Sequence, residues 1–306
     1  MSKVINHLDL FSGIGGFSLA MRELGIKHGW HGYSDIDKYA NNIFRRHFNE
    51  AEELGGVESI QSRDLPRLDL VTFGFPCQDL SIAGKRGGLK ASRSGLFFEA
   101  MRIIRDKKPR HIIFENVKGL LSSNGGYDFI LCLQEIANAG YDGQWQLLNT
   151  RWFLPQNRER IFFVGHLRGE RRPKVFPIKG KFEESKREMG REVSPCLQAR
   201  DYKGVGNSEM ALVQVGRVAN GDAGRVFDSD GIACTLKAEG GGWGAKTGLY
   251  EINSNIRRLT PTECERLQGF PDRWTDDQSD TQRYKQLGNT VSVPVVKEIM
   301  KKLYEE

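Results

Sequence analysis

The sequence predicts an α/β protein with a parallel β-sheet covered by helices. In the first 165 residues, short apolar segments alternate with helix-like segments, as in a series of β-α-β units. Potentially catalytic residues lie near the ends of two apolar segments. Cys77 follows Leu68–Phe75, and Glu115 lies within Ile112–Val117. Because open α/β sheets bind ligands at the carboxyl ends of their strands, this arrangement favours an enzyme.

The elements follow one another along the first part of the chain. Clusters of apolar residues predict strands at Val4–Phe11, Gly32–Ile36, Leu68–Phe75, Ile112–Glu115, Gln144–Leu148 and Arg160–His166. Helical periodicity predicts intervening helices at Gly16–Leu24, Tyr39–Phe48, Gly95–Asp106 and Tyr127–Ala139. Neighbouring strands joined by such helices are expected to run parallel.

The character of the sequence changes after His166. The next segment is charged and rich in proline and glycine, which suits short β-ribbons and loops. Helical patterns return from Leu259, with Thr260 or Thr262 as the expected N-cap, and the last predicted helix covers Val293–Tyr304. We therefore expect one domain over residues 1–166, completed by 284–306, and a smaller domain with a hinge over 167–283.

Composition narrows the class of protein. The chain has 306 residues, a net charge of +6 and a pI near 9.0, which favours a polyanionic partner without requiring one. No segment has the roughly 18 to 20 apolar residues of a membrane span, so a cytoplasmic protein is expected. The five cysteines show no Cys-x-x-Cys spacing and the histidines no paired spacing. The sequence therefore suggests neither a disulfide framework nor a metal site.

A glycine-rich turn follows the first predicted strand. The segment Asp9–Gly16 reads DLFSGIGG, in which glycines allow the backbone to approach a ligand and the following helix offers free amide groups. Asp35 lies twenty residues after Gly15, where an acid can accept hydrogen bonds from ribose hydroxyls. A nucleotide-like cofactor and a plain tight turn both fit the glycines. Their spacing differs from Gly-x-Gly-x-x-Gly, which disfavours a dinucleotide.

Other candidate residues have structural alternatives. Cys77 is either a nucleophile or a buried thiol, although Pro76 and the polar residues after it favour an open site. Glu115 is either a catalytic acid or a helix cap. Alternation along an extended chain places Arg158 and Arg160 on the same side, where they can clamp a phosphate, orient Glu115 or form surface salt bridges.

Several motifs together resemble those of DNA (cytosine-5)-methyltransferases of the bacterial and phage type. They are DLFSGIGG, GFPCQDLS, FENV, PQNRER and QLGNTV, in this order. The resemblance runs from Leu8 to about Gly165 and resumes from Arg257 to Val296. It implies a Rossmann-like, S-adenosylmethionine-dependent methyltransferase sheet with helices on both faces. The unmatched segment corresponds to the family's target-recognition domain, which is smaller and mostly β-strand and loop.

The resemblance also implies a mechanism. The Cys77 thiolate adds to carbon 6 of a cytosine flipped out of the duplex, which makes carbon 5 nucleophilic. Glu115 holds or protonates ring nitrogen 3, and Arg160, with Arg158, positions that carboxyl group. Carbon 5 takes the methyl group of S-adenosylmethionine and loses its proton to solvent. Elimination of Cys77 completes the reaction, and the cofactor leaves as S-adenosylhomocysteine.

The resemblance also implies which residues bind the cofactor, by their positions in the matching motifs. Gly56 stands where the family usually has an acid that contacts the adenine amino group, so either backbone and Val57 suffice, Glu58 reaches in, or affinity is weak. The implied set is Phe11, Gly13, Ile14, Gly15, Asp35, Ile36, Val57, Pro76, Asn289 and Val291.

Duplex DNA is the expected macromolecular partner. The segment 78–94 is basic and rich in glycine, so we expect it to close over DNA from the minor-groove side. Thr235-Leu236 resembles a short element of family recognition domains. We expect a monomer, and the resemblance allows a cognate restriction endonuclease in the same system. The expected DNA-binding residues are Gln78, Ser81, Lys85, Arg86, Arg93, Arg200 and Thr235, with Lys90, Lys203 and Arg225 as further candidates.

Two alternatives remain open. One is an RNA cytosine-5-methyltransferase of the same lineage that modifies tRNA. The long glycine-rich insert favours recognition of duplex DNA instead. The other is a catalytically silent DNA-binding protein, against which the intact Cys77, Glu115 and Arg160 argue. A NAD-linked oxidoreductase explains the glycine turn but not the Pro-Cys strand end.

Overall fold

The computed structural model describes residues 3–76, 95–180, 214–217, 225–229, 232–237, 247–252 and 255–305. The chain divides into two compact units. The first comprises Met1–Leu148, Glu159–Ile178 and Val295–Glu306, and the second comprises Asn149–Arg158 and Lys179–Pro294. These bounds differ from the expected domains, because 149–158 and 284–294 group with the second unit and 167–178 with the first.

A seven-stranded sheet forms the centre of the first unit. Its order is β3-β2-β1-β4-β5-β7-β6, and the neighbours among β1 to β5 are parallel. This confirms the predicted α/β class. β7 runs antiparallel to β5. The connection from β6 to β7 is short. It lacks the crossover helix that the chain would need to place β7 parallel to β6. The strands are β1 (Val4–Leu10), β2 (Lys27–Ser34), β3 (Glu52–Glu53), β4 (Leu70–Phe73), β5 (His111–Val117), β6 (Tyr141–Asn149) and β7 (Glu159–Leu167).

Helices accompany this sheet at the places where the sequence predicts them. They are α1 (Gly16–Glu23), α2 (Lys38–His47), α3 (Gly95–Lys107), α4 (Tyr127–Asn138) and α7 (Val293–Tyr304). In the described parts of the chain, no helix is long and apolar enough to cross a membrane.

The core is most aromatic where β4 and β5 end. Phe73, Phe97 and Phe114 are fully buried and Phe75 is 3% exposed. The rings of Phe75 and Phe97 have centroids 5.2 Å apart, and those of Phe73 and Phe114 lie 5.6 Å apart. Tilted pairs at these distances favour tight packing. The core thus fixes the two strand ends that carry the candidate chemistry.

The second unit contains a four-stranded sheet and two helices. β8 (Gln214–Arg217), β9 (Arg225–Asp228), β10 (Leu249–Ile252) and β11 (Asn255–Arg258) are ordered β11-β10-β9-β8, and only the β9–β10 pair is parallel. The helices are α5 (Pro261–Gln268) and α6 (Asp280–Asn289). Thr260 is the N-cap of α5 and forms a capping box with Glu263, which settles the choice between the two predicted caps.

Candidate active site

The order of the sheet defines where a ligand should bind. β1 pairs with β2 on one side and β4 on the other, so the connections after β1 and β4 leave the sheet in different directions. Ligands of doubly wound sheets bind in the crevice at such a switch point. The glycine turn follows β1, and residues 74–76, which precede Cys77 in the sequence, follow β4, so both of these segments lie at this edge.

The glycine turn has left-handed backbone at three residues. Phe11 and Gly13 have φ of 54° and Gly15 has φ of 84°. A side chain added at Gly15 would lie 2.6 Å from the Phe48 ring, so packing requires glycine there. At Gly13 an added Cβ meets nothing within 4 Å. The backbone beside Gly13 therefore borders open space, while the Ile14 side chain is fully buried.

Asp35 connects this turn to the end of β2. Its Oδ2 accepts a hydrogen bond from the Gly13 backbone N–H at 2.9 Å, and its Oδ1 accepts from the Asp37 N–H at 2.8 Å. Burial raises the pKa of Asp35, and these backbone donors oppose that shift. A carboxylate offers about four acceptor sites, so Asp35 can still accept from a ligand hydroxyl.

The side chains of Glu58 and Ile36 lie beside Gly56. A Cβ built there would lie 3.2 Å from Glu58 Oε2 and 3.4 Å from Ile36 Cγ2. The Glu58 carboxylate therefore lies next to Gly56. Ile36 is 84% exposed, an unusual state for an isoleucine, whereas Val57 is 2% exposed and packs in the core.

Glu115 and Arg160 form an ion pair at the end of β5. In the antiparallel β5–β7 ladder, Glu115 faces Phe162 and Val117 faces Arg160, so Glu115 and Arg160 are diagonal neighbours on one face. Arg160 Nε lies 3.0 Å from Glu115 Oε1, with side chains 17% and 11% exposed. A Cβ at Gly74 would lie 3.4 Å from Glu115 Oε2. The carboxyl group therefore lies beside the segment that follows β4.

The next residue of β5 fixes that segment. Asn116 donates from Nδ2 to the Phe75 carbonyl at 3.2 Å. Pro76 is exposed, and Cys77 follows it in the sequence. Cys77 itself lies outside the described residues. The same is true of Gln78, Ser81, Lys85, Arg86, Arg93 and Arg200.

Arg158 does not share the surroundings of Arg160. It belongs to the second unit, is 2% exposed, and donates to the carbonyls of Gly288 at 3.1 Å and Thr290 at 2.7 Å. These carbonyls lie at the carboxyl end of α6, where helices leave acceptors unsatisfied. The contacts give Arg158 a structural function in the second unit, and its catalytic function stays a prediction.

Three other predicted residues lie in the second unit. The Thr235 hydroxyl donates to the Asn157 carbonyl. Asn289 is exposed at the end of α6, and Val291 is 7% exposed. Their expected functions in DNA and cofactor binding stay predictions.

Sequence spacing missed one cluster in the first unit. His7, His28 and His31 place imidazole nitrogens within 4.8 Å of one another. The expectation of no metal site rested on spacing along the chain, whereas a β-bulge at Gly29 creates this proximity. A glycine inside a strand is a signal for such a bulge.

The described residues form an α/β sheet whose carboxyl edge carries a glycine turn held by Asp35 and the ion pair of Glu115 with Arg160. Residues 5–305 match the family model of C-5 cytosine-specific DNA methylases. Type II methyltransferase M.HhaI of Haemophilus parahaemolyticus is 34% identical over 96% of this chain and 93% of its own length. Type II methyltransferase M.NgoBI of Neisseria gonorrhoeae is also 34% identical, over 94% of this chain and 90% of its own length. The chain therefore belongs to the C-5 cytosine-specific DNA methylase family and is a DNA (cytosine-5)-methyltransferase.

Solved structures share the fold. The crystal structure of S. pombe Dnmt2 methyltransferase is similar with a TM-score of 0.72 and 21% identity, covering 99% of both chains. A putative DNA modification methyltransferase encoded within an E. coli prophage gives a TM-score of 0.67 and 19% identity, covering 98% of both chains. At these identities the likeness supports the fold alone.

Proposed function

We propose that this enzyme transfers the methyl group of S-adenosylmethionine to carbon 5 of a cytosine flipped out of duplex DNA. The observation that carries the assignment is the Glu115–Arg160 pair, which places a carboxyl group at the sheet edge beside the segment leading to Cys77. A thiol and an acid that face one ligand suit addition to a pyrimidine ring.

The first unit fits the cofactor. Open space beside Gly13 allows its backbone to approach the methionine part, and Asp35 is available to ribose hydroxyls. The exposed Ile36 offers an apolar surface to the adenine ring, and Glu58 is the acid for its amino group. S-adenosylmethionine supplies an electrophilic methyl group when bound. From the resemblance alone, Asn289 and Val291 are proposed as further cofactor-binding residues.

The chemistry on cytosine uses this chain's own residues. The Cys77 thiolate forms a bond to carbon 6 while Glu115 gives or shares a proton with ring nitrogen 3, so negative charge does not build up on the ring. Arg160 holds Glu115 through their 3.0 Å contact. Carbon 5 then accepts the methyl group and loses its proton to solvent, and the bond to Cys77 breaks.

Recognition of DNA is assigned to residues 167–283 together with the basic segment 78–94. Unstacking a base costs a few kcal/mol, which phosphate contacts from lysine and arginine offset. We propose that the chain acts as a monomer. The Type II designation of its relatives supports a cognate restriction endonuclease in the same system.

Methyl transfer from tritiated S-adenosylmethionine tests the assignment. The enzyme is incubated with duplex DNA or with tRNA, and the product is sequenced at base resolution. We expect label in cytosine of the duplex; label in tRNA alone would overturn the assignment to DNA. Cys77→Ser should abolish transfer, whereas the matched control Cys234→Ser should retain it.

A trapping experiment tests the nucleophile directly. A duplex with 5-fluorocytosine at the methylated position lacks the proton that must leave, so the adduct to Cys77 persists. We expect a covalent protein–DNA species on a denaturing gel for the wild type and none for Cys77→Ser. A trapped species in the variant would remove Cys77 from this function.

A further inference from the structure

The sheet of the first unit has a basic surface at its amino edge, opposite the edge that carries Glu115. Loops 65–69 and 108–110 lead into β4 and β5, and segment 168–174 follows β7, whose antiparallel course brings it to the same edge. We call these three loops the amino-edge surface. They carry two acids and seven cations, and the cations are all exposed: Arg67, Lys108, Arg110, Arg168, Arg171, Arg172 and Lys174. This excess of five positive charges is close to the net charge of +6 of the whole chain.

Backbone hydrogen bonds join the three loops. The His111 N–H donates to the Asp69 carbonyl at 3.0 Å, which links the loop before β4 to the start of β5. The Leu167 N–H donates to the Arg110 carbonyl at 3.0 Å, which links the loop before β5 to the end of β7. The cations are therefore held side by side by the sheet, on one continuous surface.

The acids beside these cations already have partners. Glu170 pairs with Arg110 at 3.1 Å, and Asp142 of β6 pairs with Arg168 at 2.9 Å and with Arg172 at 2.6 Å. Four cations of the amino-edge surface form no ion pair with any residue that the structure describes: Arg67, Lys108, Arg171 and Lys174. Four exposed positive charges are thus available to a partner.

The side chains of this surface suit the phosphates of a nucleic acid. Five of the seven cations are arginine, whose planar guanidinium group matches phosphate oxygens. The three loops, all of them described, expose no large apolar side chain, since Leu65 and Leu68 are buried. Surfaces that bind membranes or proteins usually add exposed apolar or aromatic side chains to their charges. The composition therefore favours a partner bound mainly through its charge.

Strand β5 separates this surface from the edge that carries Glu115. Its seven residues rise about 3.3 Å each, so its two ends lie about 20 Å apart. Duplex DNA is stiff over about 150 bp, so a short duplex bound at one edge cannot bend round to the other. Residues 168–174 fall in the segment assigned above to recognition, but they belong to the first unit. Their charges therefore lie at the far edge from the proposed chemistry.

We propose that the amino-edge surface binds a second segment of duplex DNA, distant from the segment being methylated. The inference rests on DNA as the substrate of the family and needs none of the chemistry assigned to Cys77. With two surfaces, the enzyme holds one segment while it exchanges the other, because the second binding event takes place at a high effective concentration. It can then pass between distant parts of a long DNA without full release.

A capture assay with the full chain tests the proposal. A duplex of about 20 bp is fixed sparsely to beads, the protein is added, and a fluorescent duplex of the same length follows. We expect the wild type to capture the second duplex. A variant with Arg67→Gln, Lys108→Gln, Arg171→Gln and Lys174→Gln should bind the first duplex but capture the second at least about 10-fold less at about 0.1 M salt. The slope of log affinity against log salt for the second duplex should become shallower by about 3 to 4.

A charge-conserving variant is the matched control. Arg67→Lys, Lys108→Arg, Arg171→Lys and Lys174→Arg together should capture the second duplex nearly as the wild type does. No capture by the wild type overturns the proposal, and so does undiminished capture by the glutamine variant, which would indicate association between two chains.

Two parallel measurements define the partner and the surface. Tighter capture of labelled tRNA or of anionic lipid vesicles would overturn the assignment to duplex DNA. Methyl transfer to a short duplex should be unchanged in the glutamine variant, and its loss would indicate a general effect of net charge and overturn a separate surface. Capture itself needs no methyl transfer, so a failure of the proposed chemistry would leave the capture result intact.

Discussion

Asp35→Asn tests whether one carboxylate both shapes the glycine turn and binds the cofactor. Asp35 uses one oxygen for the Gly13 N–H at 2.9 Å and the other for the Asp37 N–H at 2.8 Å. Asparagine has one acceptor oxygen, so in either orientation its amide NH₂ faces one of these donors. A hydrogen bond to a charged group contributes about 1.5 to 3 kcal/mol, and the substitution should lower the free energy of unfolding by about 2 kcal/mol.

The same substitution should weaken cofactor binding. The turn is no longer held at Gly13 and an acceptor for ribose hydroxyls is lost, so we expect S-adenosylhomocysteine to bind about 10- to 100-fold more weakly, or about 1.4 to 2.8 kcal/mol. Isothermal calorimetry measures the Kd, and urea denaturation without ligand measures stability.

Asp37→Asn is the matched control for both measurements. The capping bonds of Asp37, from Tyr39 N at 2.9 Å and Ala40 N at 3.4 Å, use the single oxygen Oδ1, which asparagine retains. Stability and affinity should therefore stay close to those of the wild type. Unchanged cofactor affinity in Asp35→Asn would refute the assignment of this carboxylate, even if the protein were less stable.

Three further predictions follow from the described contacts. Arg160→Gln removes the partner of Glu115 and should slow single-turnover methyl transfer about 100-fold while the Kd of S-adenosylhomocysteine stays unchanged; an equal loss of cofactor affinity would contradict this. Gly15→Ala should lower the free energy of unfolding in urea by about 2 to 4 kcal/mol, because φ is 84° and its Cβ meets a ring at 2.6 Å, whereas Gly13→Ala should cost only about 1 kcal/mol; equal costs would count against the packing argument. An arginine side chain and a helix cap lower the pKa of Glu263 to about 2, so its ionised form stabilises the protein above pH 4.5 and loses this effect as pH falls toward 2. Glu263→Gln should therefore cost about 1 kcal/mol at about pH 7 and less at about pH 3, and an equal cost at both values would contradict the linkage.

The sequence predicted those parts of the fold whose signals are local. Apolar segments marked β1, β4 and β5, since buried parallel strands are nearly continuous in apolar residues. It placed the start of β2 too late, because Lys27–Trp30 is polar and interrupted by glycine. It also did not predict that β7 would run antiparallel to β5.

Long-range contacts limited the prediction of the site. Glu115 and Arg160 are diagonal neighbours and form an ion pair. This contact depends on the antiparallel register of β5 and β7, which the sequence did not predict. Arg158 was grouped with Arg160 on alternation, whereas its guanidinium contacts the Gly288 carbonyl, 130 residues away. Patterns in neighbouring residues cannot identify a partner so distant in the sequence.

The last helix has a consequence for folding during synthesis. Val295, Val296, Ile299 and Met300 of α7 are at most 1% exposed in the first unit, and Lys297 pairs with Glu23 at 2.9 Å, 274 residues earlier in the chain. Because a ribosome adds about 5 to 20 residues each second, strands made early must wait on the order of ten seconds or more for this helix. Chaperone binding to nascent chains stopped before residue 293 should therefore exceed binding to chains that contain α7.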